Sequence, residues 1–270
     1  MEHTCRIIGV VNQKGGTGKT TTALHLGAGL AQKGKRVLLV DLDPQASLSI
    51  LADLDLSIRR LSIADLLEAE IYRLPSAEPM ERTDKEAIIN LDDNLDIIPS
   101  SISLSSIELK LIAADAREFM LKGILDPLRE HYDFILVDGL PSLGSLMINL
   151  LTAADEVIIP TKAEFLDIQG VSLLINHGIN RVRSRLNPNL RIDGILLTLV
   201  NERLKATKEI MDELSDIAQS AGIPIFSSMI VSATVARDAS KKGLTVYKCA
   251  PGSKLATAYM NFVEEVLALG

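Results

Sequence analysis

The chain has 270 residues, 47% of them hydrophobic and 3% aromatic, enough to bury the core of one large α/β domain. A formal net charge of −7 argues against a protein that binds polyanions over its whole surface. The two cysteines, Cys5 and Cys249, match no metal-ligand spacing or disulfide framework, no run of about 18 apolar residues suggests a membrane span, and MEHTCRIIGVV has no basic region followed by a long apolar run and cleavage site, so no secretory leader is expected.

Along the chain, short apolar runs alternate with longer amphipathic ones. Strands are predicted at 6–11 (RIIGVV), 36–41, 95–99, 133–138, 156–160 and 192–200. Helices are predicted at 18–33, 104–131, 145–154, 166–186, 206–221 and 253–269. Continuous Val, Ile and Leu runs suit strands covered on both faces of a parallel sheet. Their alternation with helices predicts an α/β fold, a doubly wound, mostly parallel sheet flanked by helices, as one domain over 1–270. Residues 71–93, with two prolines and many charges, read as a surface excursion.

The loop KGGTGKT (14–20) follows a predicted strand and opens a predicted helix, the setting of a phosphate-binding P-loop. Gly15, Gly16, Thr17 and Gly18 let backbone N–H groups face phosphate oxygens, and the helix N-terminus adds its partial positive charge. Lys19 is expected on the β- and γ-phosphates, the Thr20 hydroxyl on Mg²⁺ and Thr21 on the α-phosphate. The pattern departs from G-x-x-x-x-G-K-[ST], because Gln13 stands at the first glycine and a second lysine, Lys14, follows it.

Two strand ends supply acids to the same crevice. In VDLDPQ (40–45), Asp43 is positioned to orient or partly deprotonate an attacking water, while Asp41 reads equally as a helix cap or a strand-end acid. In FILVDGLPSLG (134–144), Asp138 has the setting of a Walker B carboxylate that holds Mg²⁺ directly or through water. Gly139, Pro141 and Gly144 make a loop able to change shape when the γ-phosphate leaves.

These three elements, with IIPTKAEFLDIQGVSLL (158–174), GILLTLVNER (194–203) and KLATAYMNFVEEVL (254–267), resemble the deviant-Walker P-loop ATPases of the ParA/Soj/MinD superfamily, and the ParA branch most of all. The resemblance covers nearly the whole chain. It implies ATP and Mg²⁺ as cofactors and a homodimer that forms on ATP, in which Lys14 crosses to the partner's nucleotide. It also implies weak hydrolysis stimulated by a ParB-like or other cargo-bound activator. A desolvated lysine there would stabilise charge developing on the transferred group. Asn201 matches the adenine-reading position, although an asparagine after a strand is also a common turn residue. One departure stands out: Leu140 replaces the proline that ParA proteins usually carry.

ParA relatives bind double-stranded DNA without sequence preference through late basic residues. Here residues 181–248 carry 11 Lys/Arg against 7 acids, whereas 51–180 carry 10 against 23. The candidates are Arg203, Lys205, Lys208, Arg237, Lys241 and Lys242. RVRSR (181–185) ends a predicted helix, where cations suit the helix dipole without a ligand.

The reading is therefore a cytoplasmic, nucleoid-associated ATPase that segregates or positions plasmid or chromosome cargo, with no membrane partner. MinD-like membrane positioning is the alternative, but the tail YMNFVEEVLALG lacks the basic residues of a membrane-surface helix. Positioning of a protein assembly on the nucleoid would use the same residues and is not separated by sequence. Cluster-bearing relatives need cysteine ligands that Cys5 and Cys249 do not supply.

Overall fold

Alternate residues of each central strand face opposite sides, and both sides are apolar, so every strand needs helices above and below. Ile7, Leu38, Ile135 and Val157 belong to one hydrophobic cluster, while their neighbours Ile8, Leu39, Leu136 and Ile158 belong to the other. A computed structural model describes residues 5–73, 86–200 and 206–269. In chain order its elements are β1 (Arg6–Val10), α1 (Lys19–Gln32), β2 (Val37–Asp41), α2 (Ser47–Leu51), α3 (Ile63–Ile71), β3 (Ile89–Asp92), β4 (Leu95–Ile98), α4 (Leu104–Ala113), α5 (Met120–Leu125), β5 (Phe134–Asp138) and α6 (Ser145–Ala153). They continue with β6 (Glu156–Lys162), α7 (Phe165–Leu173), α8 (Asn180–Arg185), β7 (Arg191–Val200), α9 (Ala206–Ala221), β8 (Ile225–Val231), α10 (Thr234–Lys241), α11 (Val246–Cys249) and α12 (Lys254–Ala268).

Among the described residues the strands form one eight-stranded sheet in the order β3-β4-β2-β5-β1-β6-β7-β8. Every neighbouring pair is parallel except β3 with β4. The doubly wound, mostly parallel sheet read from the sequence is thus the observed fold. Helices α3 to α7 and α9 cover one face, and α1, α2, α11 and α12 cover the other.

Two strands are invisible to the apolar-run criterion, and both lie at the sheet's edges. In β8, IFSSMIV, two serines interrupt the run and burial alternates, as an edge strand allows. The four-residue β3 pairs with β4 across a turn at Asn94, whose φ is +60°. It lies inside the expected 71–93 excursion, of which residues 74–85 fall outside the described residues.

The helix predicted over 104–131 is not continuous. It breaks after α4, passes Ala116 at φ +48°, makes a 3₁₀ turn at Arg117–Phe119, and after α5 ends in a second 3₁₀ stretch at Asp126–Glu130 that contains Pro127. The helix predicted over 166–186 runs from α7 into α8 through a π-helical stretch, Leu174–Ile179. The short helices α2, α3, α10 and α11 go beyond the predicted set.

The register fixes the site. Val10 and Asp41 both sit opposite Asp138, so three strands end at one level beneath the loop that enters α1. His25 then ties α1 to the late chain. Its Nδ1–H donates to the Thr21 carbonyl at 2.7 Å, and its Nε2 accepts from the Val246 amide at 3.0 Å. Stacked on Tyr259 and buried, the ring has its pKa lowered to about 4 by desolvation and stays neutral.

Candidate functional site

The loop after β1 is fixed from below. Buried Asn12 donates from Nδ2 to the Pro160 carbonyl at 2.7 Å, and its Oδ1 accepts from the Lys14 amide at 3.0 Å. The Thr198 hydroxyl donates to the Thr17 carbonyl at 2.7 Å, and lies 3.2 Å from the Thr161 carbonyl. Gly16 and Gly18 have φ of +70° and +82°, a region that residues with a Cβ rarely adopt. Among the described residues, the amides of Gly15, Gly16, Thr17 and Gly18 donate to no protein acceptor. Four free N–H groups at the start of a 14-residue helix are what an anion such as a phosphate chain would require.

Lys19 folds beneath this loop, 7% exposed, with its amine 3.0 Å from the Lys14 carbonyl. Burial lowers its pKa, and the carboxylates of Asp138 and Asp43 oppose that shift. Asp138, at the end of β5, is 1% exposed, and neither of its oxygens has a hydrogen-bond partner. Burial first, and then the charges of Asp41 and Asp43, push its pKa well above the ordinary carboxylate value. Lys19 and the nearby Thr20 hydroxyl oppose the shift, yet that hydroxyl completes no hydrogen bond to either oxygen. Two orphaned carboxylate oxygens beside a hydroxyl fit a hard divalent cation or its bound water, which resolves the burial that the protein alone leaves uncompensated.

The two acids after β2 separate in role. Asp41 accepts from the Ser49 amide at 2.8 Å, the Ser49 hydroxyl at 2.7 Å and the Asp43 amide at 3.2 Å. It is fully buried, and desolvation raises its pKa to about 6 despite those bonds. Its neighbours make it the anchor of the turn into α2. Asp43 is only partly buried, takes the Gln45 amide at 2.9 Å, and is near enough for its charge to act on both Lys19 and Asp138. Leu140 is buried in the core, so the loop after Asp138 is held by apolar packing where ParA proteins usually have a proline ring.

Lys14 is the unexpected member. Its Nζ lies 2.7 Å from Asp167 Oδ2, in the first turn of α7. The Asp167 carboxylate is 0% exposed and its Oδ1 has no partner. A third amine, from Lys162 at the end of β6, comes within 3.8 Å of where a Cβ on Gly16 would stand. Asn12, Lys162, Asp167 and Thr198 carry no site signal of their own in the sequence. Each lies in or beside a stretch recognised there, but only the parallel pairing of β1 with β6 and β6 with β7 brings them to the loop.

The basic candidates divide. Arg237, Lys241 and Lys242 are exposed on or just after α10, with the first two one helical turn apart and none ion-paired among the described residues. Asn201, Arg203 and Lys205 lie outside the described residues, as does the side chain of Lys208 in α9. Just before them, Leu199 at φ +53° marks a bulge between β7 and β8.

A family model described as an AAA domain matches residues 5–192. The Bacillus subtilis sporulation initiation inhibitor protein Soj is 34% identical over 267 residues, covering 98% of this chain and 99% of its own. The Caulobacter vibrioides chromosome partitioning protein ParA is 34% identical over 269 residues, covering 97% and 94%. Among solved structures, cobyrinic acid a,c-diamide synthase from Mycobacterium smegmatis, bound to an ATP analogue and magnesium, is similar with a TM-score of 0.79 and 32% identity over 97% of this chain and 94% of its own.

Proposed function

The chain belongs to the ParA/Soj family of P-loop ATPases, and from that premise we propose that it binds Mg-ATP between two copies of itself and hydrolyses it slowly. The observation that carries this reading is the pairing of four unpartnered loop amides and buried Lys19 with the orphaned carboxylate of Asp138. The first pair suits a phosphate chain and the second suits its metal. Thr20 and Asp138 would hold Mg²⁺, Lys19 the β- and γ-phosphates, and Asn201 the adenine. Asp43 would orient the attacking water, and Lys14 would reach the partner's nucleotide.

The dimer would coat DNA without sequence preference, through Arg237, Lys241 and Lys242 together with Arg203, Lys205 and Lys208. Two copies double the set of cations along the phosphate backbone. A ParB-like or other cargo-bound activator would trigger hydrolysis and release, in a cytoplasmic, nucleoid-associated cycle that moves plasmid or chromosome cargo. One observation argues against membrane positioning: the apolar face of α12, with Leu255, Tyr259, Phe262, Val263 and Val266, is buried in the core.

The test is co-sedimentation with a random-sequence DNA duplex in ATP, ADP or no nucleotide, run beside the oligomeric state in each. ATP alone should give both the dimer and DNA retention. A chain that remains monomeric at high concentration with Mg²⁺ and a non-hydrolysable analogue overturns the reading.

A further inference from the structure

We propose that Asp167 is a positioning residue for Lys14, a seat on the same subunit that holds the amine until the partner's nucleotide takes it. This rests on the reading of Lys14 as the lysine that acts in trans.

The geometry has two fixed ends and one movable part. The Lys14 backbone is pinned, since its amide donates to Asn12 Oδ1 at 3.0 Å and its carbonyl accepts from Lys19 at 3.0 Å. Asp167 is pinned by α7, where its own amide donates to the Glu164 carbonyl at 3.0 Å. It lies in the first turn of that helix, at the positive end of the helix dipole. Between them stands the Lys14 side chain, 37% exposed, so its stem can swing outward while the carboxylate it touches cannot follow. With only one hydrogen bond between them and Asp167 Oδ1 unpartnered, the pair is strong in charge but incompletely satisfied.

One amine thus has two anionic destinations, and reaching the partner means leaving Asp167 buried with neither oxygen paired. That penalty arises twice in a symmetric dimer. It also sets a threshold. The trans ligand must offer enough negative charge to outcompete a buried carboxylate, which a triphosphate does better than a diphosphate. In this reading Asp167 weakens both dimers alike, and so keeps the ADP-bound protein monomeric at concentrations where the ATP-bound protein pairs, without touching either nucleotide. The alternative role for Asp167 is a plain N-terminal helix acid, and it makes the opposite prediction, since neutralising such a residue can only loosen α7.

The experiment measures the monomer–dimer dissociation constant by analytical ultracentrifugation of the full chain, with Mg²⁺ and a non-hydrolysable ATP analogue, and again with ADP. The proteins are wild type, Asp167→Asn, Asp167→Ser, Asp167→Glu and Lys14→Ala, each checked by thermal melting for folding. Asp167→Asn should tighten the analogue-bound dimer at least tenfold and bring the ADP-bound protein into the measurable range. Asp167→Ser should do the same, which keeps the test open if the amide does not fold. Asp167→Glu should return the constant towards wild type. If the neutral variants dimerise no more tightly than wild type while Lys14→Ala abolishes dimerisation, the seat is refuted and the trans role stands. If Lys14→Ala dimerises as well as wild type, the trans role falls and the seat falls with it.

Discussion

Removing Lys14 should cost stability before any nucleotide or partner is involved. Truncating one member of a buried ion pair leaves the other charge uncompensated, typically at about 3–5 kcal/mol. The fully buried member here is Asp167, but Lys14 is 37% exposed and water can partly follow its loss. The low end, about 3 kcal/mol, is therefore the expected cost of Lys14→Ala. For 270 residues, with an unfolding entropy near 2.1 cal/mol/K per residue, that cost corresponds to a fall in melting temperature of about 5 °C. Differential scanning calorimetry of the nucleotide-free protein at pH 7 reads it directly. The double variant Lys14→Ala/Asp167→Asn removes the stranded charge as well and should recover most of the lost stability, yet remain unable to dimerise with ATP. Loss of activity in Lys14→Ala thus mixes two effects that only the double variant separates. A single variant that melts within about 1 °C of wild type would show that the pair carries no net energy and would refute this reasoning.

Asp43→Ala should slow hydrolysis by about a hundredfold, the range of a general base, while the analogue-bound dimer still forms; full turnover would remove Asp43 from the mechanism. Asp41 gives a pH test. Its folded-state pKa, about 6, lies above that of the unfolded chain, so the folded form holds the proton more tightly and Asp41 contributes most at low pH. That contribution is lost as pH rises from about 4 to above 6, by up to about 3 kcal/mol at 1.36 kcal/mol per unit. The stability of Asp41→Asn relative to wild type should therefore improve between pH 4 and pH 7, and a flat difference in urea denaturation would contradict it. Arg237→Glu/Lys241→Glu should weaken ATP-dependent DNA retention without changing dimerisation. It should also flatten the salt dependence, by about 0.9 in log–log slope for each phosphate no longer neutralised. Unchanged retention would retire α10 as a DNA face.

The interior of the sheet was legible because its strands are buried on both faces and keep mostly apolar runs, broken only by single positions such as Asp96 in β4 and Asp193 in β7. The edges were not. Ser227 and Ser228 break the run in β8, the first on the exposed face that an edge strand can leave polar and the second, a small residue, on the buried face, and β3 is too short to carry a pattern. The helix predicted at 104–131 failed for a local reason, since its apolar spacing continues across Ala116 and Pro127 where the backbone turns. Within the site, Lys19, Thr20, Asp43 and Asp138 could be read because each sits at a strand end or helix start in a recognisable spacing. Asp167 could not. It is 153 residues from Lys14, and a lone acid in a first helical turn looks like ordinary dipole complementation.

The pattern of satisfied and unsatisfied groups constrains what the site can bind more tightly than its motifs do. Asp41 is fully engaged by Ser49 and the Asp43 amide, and Lys14 is engaged by Asp167. Among the groups that the described residues leave unpartnered are a row of four loop amides and, one strand away, both oxygens of Asp138. A simple anion would satisfy the amides and worsen the burial of Asp138, and a free cation would do the reverse. Only a metal-bridged polyphosphate relieves both at once, because its charges alternate along the same line as the site's. Asp138→Asn should therefore abolish the Mg²⁺ dependence of nucleotide affinity while sparing much of the metal-free binding, a split readable by titration calorimetry with and without a chelator. If the variant instead lost affinity equally in both conditions, Asp138 would be supporting the loop rather than the metal.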